Sequence, residues 1–532
     1  MRNKDWIILA VIIAAAFLLR LKVMDIPFER DEGEYAYAAQ LMLDGVPPFR
    51  EAYNMKFPGI YAVYAAILFI FGQTDWGVRL ALALVNAWTI VLVYLIGRRL
   101  FDGSAGLAAG ASFAMLSFLP SVHGIIANAE HFVLVFALSG ALLAMKSLED
   151  GGLWKLFAGG ALLGAGYTIK QHGAAFILFS FFMVALYNLR NGSDLKRTAR
   201  DISVLALGAI TPFMAMCGTL YLAGVFDGFW FWTFAYAREY VSVVPFEAGL
   251  KALKAEGGRI FLSAPLIWAL CLIGTVAPVW DRGLRRGWPF LLGLLAFSAL
   301  AVLPGFFFRP HYFIYLLPPA SLFFGAAIRS LNTFLNGNKR AVAKAGLVVA
   351  LAVYFIFSQR TALASAPEAL SRSMYGYNPF PESRVIAEYV ARNTRPGDRV
   401  AILGSEPQIL FYSRRRSATG YIYAYPLMER QRFAPMMQRE MMEEIRRAGP
   451  KVVVFVDLKF SWGANPGSVL DIFGWLKEFV AEGYTLNGMV DLLAVPVKYS
   501  WGDDISGAPT PESGYGIYIY RKNAPATPEE GS

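Results

Sequence analysis

The sequence predicts an α-helical polytopic membrane protein of about 11 transmembrane helices, followed by a C-terminal external α/β domain. Three observations predict it. Of the 532 residues, 56% are hydrophobic and only 17% charged, more apolar surface than a soluble core absorbs. The apolar residues fall in long runs separated by short clusters of Lys and Arg. From about residue 375 charge rises, and alternating segments such as DRVAILG and PKVVVFVDL stand beside helical ones such as PESRVIAEYVARN.

Each span follows from the need for about 20 predominantly apolar residues to cross a bilayer. The first, WIILAVIIAAAFLLRLKVM at 6–24, has no small-x-small cleavage site and is read as a retained helix. Further candidates lie near 76–96, 104–122, 130–147, 153–169, 173–190, 202–224, 261–280, 288–306, 311–330 and 341–358. Eleven is odd, so the chain ends are expected on opposite sides. Basic clusters at Arg2 and Lys4, Arg98 and Arg99, Lys146 and Lys155, Lys196 to Arg200, Arg282 to Arg286, and Lys339 to Lys344 fall on alternate connections. These face the cytoplasm under the positive-inside rule. The N-terminus is then cytoplasmic and the C-terminal domain periplasmic or extracellular, in a plasma or inner membrane.

The run PGIYAVYAAILFIFG at 58–72 would break this alternation as a span, and it reads instead as an interfacial or re-entrant helix. It falls in a first external loop of 25–75, within a transmembrane domain of 1–360. The α/β domain is expected over 375–523 and a disordered tail over 524–532. A long aromatic loop is expected near 227–260.

Several function classes drop out. The net charge of +10 is scattered in topological clusters and forms no basic face, which excludes nucleic acid as a partner. Cys217 and Cys271 lie in apolar runs and read as small hydrophobes. The stretches GGALLGAG at 159–166 and GLAAGAS at 106–112 read as close helix packing, since no Lys-Ser/Thr pair completes a phosphate loop.

Polar residues gather at the outer connections. FERDEGEYAY at 28–37 places Asp31, Glu32 and Glu34 just past the first span, followed by a helical run with Tyr35 on one face. Acids at a helix N-terminus act as caps, which accounts for one or two of them. Lys56, in NMKFPG, stands on the side where topology disfavours cations, and it suits a lipid phosphate. HGIIANAEH contributes His123, Asn128, Glu130 and His131, able to take a sugar hydroxyl or a divalent metal. The eight-residue spacing of its two histidines matches no common ligand pattern. Lys170, Gln171 and His172, then Arg309 and His311 in FFFRPHYFIYLLPP, complete a cationic collar. The sequence requires no particular cofactor, leaves a divalent metal open, and assigns it no ligands.

An Asp-Glu pair after the first span, a Lys followed closely by Pro before the next, and many spans with an external tail resemble the GT-C membrane glycosyltransferases. RDEGEYAYAAQLMLDG followed by YNMKFPGIY is similar to the bacterial relatives of protein O-mannosyltransferases and lipid A aminoarabinose transferases. The resemblance covers about residues 1–360 and is strongest in 28–62. It implies transfer of a sugar from a polyprenyl-phosphate donor to a lipid, glycan or protein acceptor outside the membrane. By the same resemblance Asp31 is the catalytic base with Glu32 beside it, and Lys56 lies near the donor phosphate. The chain departs from the aminoarabinose transferases at Met55, where they place an acid, and at Glu34, where they place an Arg. A transporter or flippase is the alternative, and it calls for ionisable residues at mid-membrane and broken helices. A scaffold leaves the acidic loop unexplained.

Overall fold

The computed structural model describes residues 3–335, 337–505, 511 and 515–524. Apart from Ala524, the tail expected over 524–532 lies outside the described residues. The chain divides into two compact units, one of Met1–Ile26, Lys56–Ala223 and Val244–Leu370, the other of Pro27–Met55, Gly224–Val243 and Ser371–Ser532.

The first unit is helical, and three of its long helices begin where the sequence supplies a side-chain cap. Thr74 accepts from Gly77 N at 3.1 Å to open Asp75–Leu100, Asp102 from Ala105 N at 2.9 Å to open Gly103–Leu116, and Asp194 from Arg197 N at 2.8 Å to open Leu195–Leu222. The helix Leu153–Ile169 lies between Ala129–Asp150 and Leu195–Leu222 at near backbone contact. A Cβ on Gly160 would stand 2.2 Å from Leu205 O, and one on Gly164 2.1 Å from Ala209 O. The small-residue runs are therefore packing faces, as read from sequence. Arg329 bridges Asp102 and Asp281 at 3.1 and 3.0 Å.

Among the described residues six helices are long and apolar enough to cross a membrane, or seven if Phe246–Ser263 and Pro265–Val279, bent by 105°, form one span. Length and composition thus single out six or seven of the eleven expected spans. Hydropathy runs overstate helix length where the backbone is interrupted. The run at 104–122 gives only Gly103–Leu116 before Pro120, and 288–306 gives Trp288–Val302 before Pro304. Leu153–Ile169 has 17 residues, and Asn3–Leu21 carries Lys4, Asp5 and Arg20. Pro58–Phe71 is a short apolar helix of 14 residues. The stretch expected as an aromatic loop near 227–260 is largely helical, including Phe246–Ser263.

The second unit is built on a six-stranded mixed sheet. Its strands are β1 (Arg399–Leu403), β2 (Arg416–Ser417), β3 (Val452–Asp457), β4 (Tyr484–Asp491), β5 (Lys498–Trp501) and β6 (Gly516–Lys522), in the order β2-β1-β3-β6-β4-β5. β1 runs parallel to β2 and β3, with Ile402 opposite Val454; β6 is antiparallel to β3 and β4. The central strands β1 and β3 are almost wholly buried and read as continuous Val/Ile/Leu, as a sheet covered on both faces requires.

Two segments from the first half of the sequence belong to this unit. Glu51 pairs with Arg399 at 2.7 Å, Tyr53 N donates to Gly420 O at 2.8 Å, and the Tyr53 ring stacks on Trp232 at 5.6 Å. Tyr236 donates to Glu429 at 2.5 Å, and Glu239 pairs with Arg432 at 3.4 Å. The loop drawn from 25 to 75 is thus divided between Met55 and Lys56, because its first half carries the aromatic rings and carboxylates that this unit buries.

Candidate active site

In the second unit each residue of the acidic stretch has its own task. Glu29 caps the helix Arg30–Leu43, accepting from Glu32 N at 3.1 Å, while Glu32 accepts from Glu29 N at 3.4 Å. This reciprocal box holds the helix start and is worth about 0.5–2 kcal/mol per cap. Glu32, expected beside the base, is thereby engaged in capping, and it is buried. Glu34 and Tyr35 are buried as well, on a helix whose faces are covered almost throughout.

Arg30 turns inward. Its Nε donates to Ser405 O at 2.6 Å, Nη1 to Tyr425 Oη at 2.7 Å, and Nη2 to Asn378 Oδ1 at 3.0 Å and Glu406 Oε1 at 3.1 Å. Gly33 lets the helix approach Pro407–Ser413, since a Cβ there would stand 2.7 Å from Gln408 N. Phe28, stacked on Tyr412 at 5.7 Å, donates its N–H to the same tyrosine's hydroxyl at 2.9 Å. With the helix start so fixed, Asp31 is the one acid of positions 29–34 that keeps partial exposure. Tyr423 donates to its Oδ1 at 3.2 Å. Packing around Tyr423, and then the nearby Asp31 carboxylate, raise this hydroxyl well above the usual phenol range, so it stays a donor.

The first unit gathers the other candidates. Lys56 is partly exposed and immediately precedes Phe57, the N-cap of Pro58–Phe71. Glu130, fully buried at the start of Ala129–Asp150, forms an ion pair with Lys170. The Lys170 ammonium also sits 4.6 Å over the Tyr312 ring. That ring meets His311 at 4.9 Å and His172 at 5.0 Å, and His172 Nδ1 lies 2.7 Å from Ala301 O. His123 reaches His311 at 6.1 Å between ring centres, and His131 is buried. Arg309 is exposed, with its guanidinium 5.6 Å from the Phe307 ring. Among the described residues no three His, Cys, Asp or Glu side chains converge as metal ligands do.

Residues 55–216 match the family described as dolichyl-phosphate-mannose-protein mannosyltransferase. Among solved structures, ArnT from Cupriavidus metallidurans in the apo state superposes with a TM-score of 0.59 at 16% identity, covering 99% of this chain and 100% of that one. The likeness shows a fold shared with this ArnT. The same ArnT bound to undecaprenyl phosphate gives 0.56 at 17% identity over 85% of this chain and 93% of that one. The archaeal oligosaccharyltransferase AglB from Archaeoglobus fulgidus, in complex with an inhibitory peptide and a dolichol-phosphate, gives 0.54 at 13% identity, covering 94% and 74%. A putative mannosyltransferase of Bacillus subtilis (strain 168), YkcB, is 24% identical over 217 residues, which are 39% of this chain and 29% of that protein. The match thus spans under a third of the length of this curated relative.

The segment matched to the mannosyltransferase family contains Lys56, Glu130, His131 and Lys170 and leaves out Asp31, Arg309 and His311. Within the first unit the structure joins Glu130 to Lys170, and Lys170 to His311 through Tyr312. Sequence reasoning passed over Tyr312, which carries the second of these connections, and, in the second unit, over Arg30 and Tyr423. The three tyrosines of GYIYAYP at 420–426 were the available signal: Tyr423 and Tyr425 bond Asp31 and Arg30, while Tyr421 donates to Glu440.

Proposed function

We propose that this membrane protein transfers a hexosyl or pentosyl unit from a polyprenyl-phosphate donor to a hydroxyl of a lipid, glycan or protein acceptor, with inversion and with Asp31 as the general base. The observation that carries the reading is the exposure of Asp31 alone in a stretch whose other carboxylates are buried. The acceptor oxygen bonds to the anomeric carbon as that carbon's bond to the phosphate oxygen breaks. The bonding pair leaves with the polyprenyl phosphate, and the acceptor proton passes to Asp31. One displacement inverts the anomeric centre. A phosphate needs no proton to depart when cations compensate it, and Lys56, Arg309 and His311 are assigned that task. Lys170 is already matched to Glu130, so with His131, Glu34 and Tyr35 it is assigned to shaping the substrate surroundings.

The fold relatives that hold polyprenyl and dolichol phosphates support the donor class. The alternation of basic clusters supports a cytoplasmic N-terminus and an external C-terminal domain; activity of a cytoplasm-only reporter fused after Ser532 would contradict it. The test of the reaction is release of polyprenyl phosphate by the purified full chain from a panel of polyprenyl-phosphate sugars. Asp31→Asn should lower turnover by about 10²-fold or more, with donor binding retained. Near-wild-type turnover in that variant, with Glu32→Gln or Glu130→Gln inactive, would show that another carboxylate is the base. Lys56→Ala should weaken polyprenyl-phosphate binding, and unchanged affinity would return Lys56 to an interfacial role.

A further inference from the structure

Asp31 is held within a closed ring of side-chain and backbone bonds. Its neighbour Arg30 donates to Ser405 O at 2.6 Å; Ser405 Oγ accepts from Ala424 N at 2.8 Å; and Tyr423, next in the chain, returns to Asp31 Oδ1 at 3.2 Å. Ser405 therefore fixes both ends, the helix start that carries the carboxylate and the loop that carries the phenol. The Tyr423 ring meets Tyr425 edge-on at 5.0 Å, and Tyr425 is itself bonded to Arg30 and to Phe460 O at 2.9 Å. Two residues earlier, Tyr421 points the other way and donates to Glu440 at 2.5 Å. The segment thus presents Tyr423 to Asp31 and buries the preceding tyrosine against a different acid.

We infer that Tyr423 is a positioning residue for Asp31: its hydroxyl donates to Oδ1, fixes the carboxylate's rotation, and favours its proton-accepting form. The inference rests on Asp31 being the base. The charged and titratable groups that act on Tyr423 include Asp31, Tyr425, Arg30 and Glu29. Arg30 is bound to Glu406, and Glu29 is occupied by the helix cap. Tyr423 keeps its own proton throughout, and the acceptor's proton goes to Asp31. A phenol donating to a carboxylate stabilises the ionised form, so its loss should raise the pH at which Asp31 protonates by about one unit.

That pH is read without turnover by carbodiimide labelling, which captures protonated carboxyls, followed by mass spectrometry of the Asp31 peptide in the detergent-solubilised full chain. The labelling midpoint should move up by about one pH unit in Tyr423→Phe and stay in place in Tyr421→Phe, which removes a hydroxyl of the same segment directed at Glu440. An unmoved midpoint in Tyr423→Phe, or an equal shift in both variants, overturns the inference. With polyprenyl-phosphate mannose as the probe donor, Tyr423→Phe should lower kcat about tenfold, change KM by less than about twofold, and have no further effect in an Asp31→Asn background. A multiplicative loss in that background also overturns it. Full turnover by Asp31→Asn alone instead removes the base assignment, while the labelling result still reports whether the phenol governs the carboxylate.

Discussion

Replacing Arg30 by Ala tests whether the acidic helix is held by its own first residue. The guanidinium makes four hydrogen bonds, to Ser405, Tyr425, Asn378 and Glu406, and Glu406 is fully buried. Charge-assisted bonds contribute about 1.5–3 kcal/mol each, but they share one cation and do not add. The better guide is the removal of one partner from a buried ion pair, about 3–5 kcal/mol, most of it the burial of the carboxylate left behind. At 1.4 kcal/mol per decade, this becomes amide exchange faster by roughly two to three and a half orders of magnitude in the helix Arg30–Leu43. Hydrogen exchange with mass spectrometry on the full chain reads that directly. Arg30→Lys should recover part of the protection, keeping the charge and losing the planar fork. Changing Arg30 and Glu406 together to Met should recover more than Arg30→Ala alone retains. A change below tenfold in Arg30→Ala would show that the helix is held by Phe28, Tyr37 and the Gly33 contact, and that the buried network is incidental.

Gly33→Ala forces a methyl against the backbone of Gln408 and should destabilise the second unit by about 1–3 kcal/mol; an unchanged or raised unfolding midpoint would contradict that contact. Lys170→Met leaves buried Glu130 without this cation, so thermal stability in detergent should drop and Glu130→Gln should restore part of it. No loss in the single variant would show that the pair is not needed for folding. Burial outweighs the attraction of Arg372 and raises the Glu382 carboxyl above its ordinary value of 4.5. The folded state then holds this proton more tightly than the unfolded chain. The associated stability is present below pH 4.5 and is lost as pH rises through the folded value. Glu382→Gln should flatten that fall, and identical pH profiles of the unfolding midpoint would contradict it.

The sequence made the acids of 29–34 conspicuous, because carboxylates beside an apolar run have few reasons to be there. Which of them faces solvent depends on Glu29 and Glu32 closing a cap and on Arg30 finding Glu406, partners 376 residues away that no local pattern announces. The packing role of GGALLGAG was legible because small residues at helical spacing admit few other readings. The span count was less so. Hydropathy senses composition and is nearly blind to where Pro120 and Pro304 interrupt a helix, so several runs read as full spans fold as 14- or 15-residue helices. Strands β1 and β3 were visible as alternating or continuous β-branched runs, whereas the membership of 27–55 and 224–243 in the same unit rests on tertiary contacts such as Tyr53 with Trp232. Glu130 and Lys170 were each singled out, but their pairing was not, since charges on separate helices carry no sequence mark of their register.

The helix that carries Asp31 is made early and finished late. Its anchoring partners at Asn378, Ser405, Glu406 and Tyr425 lie 348 to 395 residues further along the chain. At about 5–20 residues per second of synthesis, Arg30 and the apolar face of Tyr35, Tyr37 and Leu41 wait tens of seconds for the surface that buries them. Throughout that interval the nascent chain carries an Arg30 whose partners are not yet made and a helix whose apolar side chains have nothing to pack on. Ribosomes that stop short of Tyr425 would therefore release a protein whose transmembrane helices are made and whose helix Arg30–Leu43 has no socket, and quality control should recognise it by that helix.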